Sequence, residues 1–240
     1  MELNELGLSE FEGIPLYERY LKALNKFLEE KENSDEIMGI MLTGSFARGE
    51  INRESDIDLI LVNSCNQEPE DRKAFFDDIE VNYVYTGAEE LKRKMQEEKK
   101  SNKRIFATVV HAGISLYGKN EELKKLADEV YNAPVPCIDG IEKNNTINFL
   151  NDQKKELRKL LANGELINFH LRLNHVIQNC VKNYFIIKKM LWPPWKRISE
   201  SIRDNDFKEL LFNALNETKN SKKLEKTNKL VDKVTELMGN

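Results

Sequence analysis

The chain has 240 residues, a net charge of −4 and an isoelectric point near 5.7, which argues against a broad nucleic-acid-binding surface. Apolar residues make up 40% and charged residues 32%, so a buried core is feasible and general disorder is excluded. The length suits one large domain or two modest ones.

Residues 1–20, MELNELGLSEFEGIPLYERY, are too acidic and too broken for a signal peptide. Apolar recurrence at Leu16, Tyr20, Leu21, Leu24, Phe27 and Leu28 predicts a helix over 14–28. Segments 38–43, 56–62 and 78–86 read as strands, the last with clean alternation of Ile79, Val81, Tyr83 and Tyr85. Helices are expected at 69–76, 88–100 and 121–131, and a short extended piece at 113–118. Strands mixed with helices make this half α/β or α+β. The stretch NAPVPCIDG, 132–140, carries two prolines and a glycine and marks a boundary. It divides the chain into a domain at 1–135 and a second at 136–240.

Beyond the boundary, helical periodicity covers 141–161, 165–191, 207–215 and 224–238, so this half is expected to be a helical bundle. Its prolines place a helix break at LWPPWK, 191–196. Lys188 and Lys189 interrupt the apolar run 184–192, which falls short of the ~20 residues of a membrane span. Cys65, Cys137 and Cys180 lack metal-ligand spacing and read as reduced thiols, which points to a cytoplasmic protein. His111, His170 and His175 have no ligand-like spacing and read as structural or exposed.

The chemistry concentrates in LTGSFARGEINRESDIDLILV, 42–62. Asp56 and Asp58 are two apart on a strand, so they share a face, while Ile57, Leu59 and Leu61 take the other. Two adjacent carboxylates repel, and sharing a proton or binding a cation relieves them. An all-oxygen pair favours Mg²⁺ or Mn²⁺. Gly44 ends a buried strand and opens a turn into a short helix. Glycine lets backbone approach a ligand, and N–H groups at such a turn attract anions. The Ser45 hydroxyl adds a phosphate contact. A phosphate cradle beside an acid pair suits phosphoryl or nucleotidyl transfer.

Gly44-Ser45 followed by Asp56-Ile57-Asp58 resembles the DNA polymerase beta-like nucleotidyltransferase superfamily. GSFARGEINRESDIDL looks like the small domains of the aminoglycoside (kanamycin-type) enzymes and their minimal relatives. The resemblance covers 38–118. It implies a short mixed sheet flanked by helices, a nucleoside triphosphate, two Mg²⁺ ions and pyrophosphate as leaving group. It further implies that Gly44 and Ser45 hold the terminal phosphates and that Asp56 and Asp58 bind metal. Arg48 would neutralise triphosphate charge. A third acid would come from the neighbouring strand, where alternation turns Asp78 and Glu80 to the same face and Glu80, inside the strand and longer in reach, is favoured over Asp78 at the strand's edge. Trp192, Trp195 and Lys196 read either as a core-closing turn or as an aromatic surface and cation beside the nucleotide.

These residues point to transfer of a nucleoside monophosphate, AMP from ATP, to a hydroxyl of a small molecule or protein. The alternative is a nucleotide-binding or partner-binding module without turnover. Nucleic acid is not an expected partner, and neither is a membrane.

Overall fold

The computed structural model describes residues 1–31, 36–65, 67–118 and 120–239. It divides into two compact units, 1–100 with 104–133 and 101–103 with 134–240. The first contains α1 (Pro15–Lys31), β1 (Ile37–Thr43), α2 (Gly44–Ala47), β2 (Ile57–Asn63), β3 (Glu70–Phe76) and β4 (Ile79–Gly87). It continues through α3 (Ala88–Glu98), α4 (Ile105–Ala112), β5 (Ile114–Gly118) and α5 (Glu121–Asn132).

β1 and β2 are apolar along most of their length because both faces of the sheet are covered. Alternation sorts their side chains. Ile40, Leu42, Ile57, Leu59 and Leu61 pack with the inward stripe of α1, which includes Tyr20, Leu24 and Phe27. Met41, Ile60 and Val62 turn the other way and pack with Leu91, Met95, Val110 and Ala127 from α3, α4 and α5. The strand order is β3-β4-β2-β1-β5. β2 and β4 are parallel, and the other neighbours are antiparallel. This is the mixed sheet flanked by helices that the resemblance implied.

One expected helix is a strand. Residues 70–76 form β3, which pairs antiparallel with β4 through the two-residue turn Asp77-Asp78. Both turn residues have positive φ, 48° and 65°, as a type I′ hairpin turn demands. Three cations of α1 hold this turn. Lys26 reaches Asp77 at 2.7 Å, Lys22 reaches it at 3.6 Å, and Arg19 reaches Asp78 at 3.5 Å. The Lys26 ammonium, hydrogen-bonded to Asp77, holds that carboxyl below its ordinary pKa. Helix α4 was not anticipated. Its opening N–H groups are capped by the distant Glu98 carboxylate, which accepts from Phe106 and Ala107 at 2.9 Å each.

The second unit is helical: α6 (Gly140–Ala162), α7 (Leu166–Ile187), α8 (Ile198–Ser201), α9 (Asn205–Asn216) and α10 (Asn220–Gly239). Asp139 and Asp204 are N-caps, accepting from the backbone of Glu142 and Phe207 at 2.7 and 3.0 Å. The core gathers Leu157, Phe169, Leu173, Phe185, Phe207 and Val234. Cys180 lies in it, and burial pushes its thiol up to about 12. All three cysteines are free. No helix among the described residues is long and apolar enough to cross a membrane.

Helix α7 stops before the prolines expected to break it. Met190 N–H donates to Phe185 at 2.8 Å and Lys189 N–H to Ile186 at 3.0 Å, a Schellman cap. The left-handed position is Lys189, with φ 53°. The matching cap of α6 uses Gly164, with φ 74°. A side chain in the left-handed region costs roughly 1–2 kcal/mol. Lys189→Gly is therefore expected to raise the melting temperature, with a gain of about 1 kcal/mol. A lower melting temperature would show that the Lys189 side chain contributes more than this cap costs.

Candidate functional site

β1 delivers the chain to Gly44 at the edge of the acid pair. Thr43 and Asp58 are direct partners across β1 and β2, and the Thr43 hydroxyl donates to the Asp58 carbonyl at 3.1 Å. Gly44 has φ +68°, and a Cβ built there would lie 1.9 Å from Asp58 Oδ2. The carboxylate therefore rests against a bare Cα. Gly44 is required twice, by its backbone angle and by its neighbour. The one-turn helix α2 follows, and its opening N–H groups have no intrahelical acceptor. Ser45 is half-buried there.

The loop between Ser45 and Asp56 is anchored on α1. Phe46 is fully buried and meets the Tyr20 ring edge-on at 5.8 Å. Tyr17 hydroxyl donates to the Gly49 carbonyl at 2.6 Å. Tyr20 hydroxyl donates to the carbonyls of Ser55 and Asn52, the latter at 3.1 Å. Burial raises the pKa of both tyrosines, keeping them donors. Within the loop, Ser55 Oγ accepts from Asn52 N–H at 2.9 Å. Arg48 is paired with Glu50 at 2.8 Å.

The acid face continues across the sheet. Asp58 faces Asn82 in the parallel β2–β4 register, and Lys73 of β3 faces Asn82 from the other side. Asn82 Nδ2 donates to Asp56 Oδ2 at 2.7 Å. Lys73 is ion-paired with Glu80, and that contact lowers the Glu80 pKa, with Asn82 adding to the effect. Glu80 in turn raises the Lys73 pKa, with Asp56 contributing from further off. Phe75 faces Glu80 in the hairpin and is 68% exposed.

Gly44, Ser45, Asp56 and Asp58 are thus gathered in the first unit, and Glu80 lies on the strand beside β2. Asp78 sits in the hairpin turn, paired with Arg19. Lys196 belongs to the second unit, in the exposed 3₁₀ turn Trp195–Arg197. Sequence reasoning missed Lys73 and Asn82.

The oxygen donors Asp56 and Asp58 fit a hard divalent ion that keeps water or phosphate oxygens in its shell. Among the described residues no group of three or more His, Cys, Asp or Glu side chains is assembled for a metal. Glu80 is turned to Lys73 instead.

A mixed sheet with a Gly-Ser turn against paired aspartates is the arrangement that the resemblance implied. Residues 22–122 match the family described as Polymerase beta, Nucleotidyltransferase. The chain is similar in fold to a nucleotidyltransferase-like protein from Exiguobacterium sibiricum 255-15. That likeness has TM-score 0.52 and 15% identity, and covers 90% of this chain and 74% of the other. An aminoglycoside 6-adenyltransferase from Bacillus subtilis aligns with TM-score 0.41 and 13% identity, over 90% of this chain and 89% of the other. No curated protein sequence matches.

The contact between Gly44 and Asp58 can be separated from backbone strain. Gly164 has a similar φ, +74°, but open space around its Cα. Gly164→Ala should cost about 1 kcal/mol from strain alone. Gly44→Ala should cost clearly more in denaturant unfolding, because Asp58 must also move. Equal losses would mean that the carboxylate is not seated on Gly44.

Proposed function

We propose that the first unit is a Mg²⁺-dependent nucleotidyltransferase that moves AMP from ATP to a hydroxyl of a small molecule, aminoglycoside-like in bearing hydroxyls, or of a protein. The seat of Asp58 on Gly44 carries this reading, because it sets a metal-binding acid directly against a phosphate-binding turn. The N–H groups of that turn and the Ser45 hydroxyl hold the terminal phosphates. Asp56 and Asp58 hold the metal, with Mn²⁺ an alternative and two ions the expected number. When bound, it supplies charge neutralisation at the phosphates and acidifies the attacking hydroxyl. The acceptor hydroxyl releases its proton to water, its oxygen bonds to the α-phosphorus, the bond to the α–β bridging oxygen breaks, and pyrophosphate leaves.

Arg48 serves the triphosphate by exchanging its partner Glu50 for phosphate oxygen. Asn82 fixes Asp56, and Glu80 joins the acids by releasing Lys73. The Lys73–Glu80 pair also favours a second reading, a nucleotide-binding module without turnover, in which the lysine permanently replaces a metal.

Two measurements separate these readings. Asp58→Asn should abolish pyrophosphate release while leaving the melting temperature unchanged or higher, since a like-charge repulsion is removed. Wild-type turnover in this variant would overturn the transferase reading. Glu80→Gln should keep ATP binding but lower turnover by about 100-fold or more. If the wild-type chain binds ATP with Mg²⁺ yet releases no pyrophosphate with any acceptor hydroxyl offered, the second reading stands.

Mg²⁺ and ATP together should raise the melting temperature more than either alone, because a ligand of the folded state stabilises by mass action. No shift at millimolar ligand would mean that neither reading of the turn is correct.

A further inference from the structure

The helical unit contains a groove of about 310 Å³ with two tryptophans in its wall. Trp192 is held firmly. Its N–H donates to the Asn102 carbonyl at 2.7 Å, and its ring meets Phe185 edge-on at 5.5 Å. Trp195 stands at 83° to Trp192 with ring centres 5.2 Å apart. Pro193 and Pro194 lie between them and fix the backbone, so the corner is stiff. Yet Trp195 is 61% exposed. A large aromatic face is thus held rigid in water, ready to stack without further ordering cost.

The polar lining is rich in donors. Lys103 and Lys182 line the groove and make no ion pair among the described residues, and no carboxylate lines it. Asn102 Nδ2 is buried with no hydrogen-bond partner there. Asn179 spends its amide nitrogen on His175. A ligand here must offer acceptors and negative charge. A polycation would meet two ammonium groups with no counter-charge.

We propose that this groove binds an anionic planar-ring ligand of the nucleoside monophosphate type. The ring stacks on Trp195, and the phosphate pairs with Lys103 and Lys182. The volume is at the low end for small-molecule sites, roughly 300–1,000 Å³, and suits one ring system with one phosphate. The site stands on the second unit alone and does not rest on the transferase reading of Asp56 and Asp58.

The chain has two tryptophans in all, and both line this groove, so intrinsic tryptophan fluorescence reports on it alone. The full chain is titrated with AMP in the absence of divalent metal. A saturable change in emission is expected. Lys103→Ala with Lys182→Ala should weaken it about tenfold or more. Adenosine and inorganic phosphate should each bind more weakly than AMP, and a polycationic aminosugar should give no change. Asp58→Asn should respond as wild type. No saturable response to millimolar AMP would overturn the proposal, as would an unaltered response in the lysine variant. Loss of the response in Asp58→Asn would also overturn it, by placing the ligand at the acid pair instead.

Discussion

The carboxylate of Asp58 sits on the bare Cα of Gly44, and much of the first unit is arranged to keep it there. The contact joins two segments that the antiparallel β1–β2 register brings level. It also needs a left-handed residue at the end of β1. Any side chain at Gly44 would push the acid out of line. The loop between them must therefore leave and return to the same place. α1 enforces this through the Tyr17 and Tyr20 hydroxyls and the buried Phe46 ring. Helix α1 is both a layer of the core and a clamp on the loop.

Compensation of charge is the second constraint. Asp56, Asp58 and Glu80 share one face of adjacent strands, a cost in repulsion if nothing intervenes. Asn82 donates to the first, and Lys73 neutralises the last. Both come from the β3–β4 hairpin, whose turn is tied to Arg19, Lys22 and Lys26 of α1. The same helix thus steadies both sides of the acid face, once through its tyrosines and once through its cations.

The acid pair, the Gly-Ser turn and the long helices were legible because each is written locally. The spacing of Asp56 and Asp58 fixes their face, and helical periodicity survives over many residues. β3 was not legible. Residues 70–76, EDRKAFF, hold no β-branched side chain, and their pairing is made by a turn of two aspartates rather than an Asn-Gly signal. Losing β3 also hid Lys73. α4 failed for the opposite reason: IFATVVHA is short, mostly apolar and half β-branched, and its cap is a glutamate from another helix. The end of α7 was assigned to prolines, but a lysine in the left-handed region had already closed it.

The poor strand character of β3 has its own use. β3 is an edge of the sheet, with one side of its backbone open to any chain that could add to it. Glu70, Asp71, Arg72 and Lys73 place charge on both of its faces along most of its length. A second molecule pairing there would have to bury or match those charges. The residues that disguise the strand also make it a poor template for self-association.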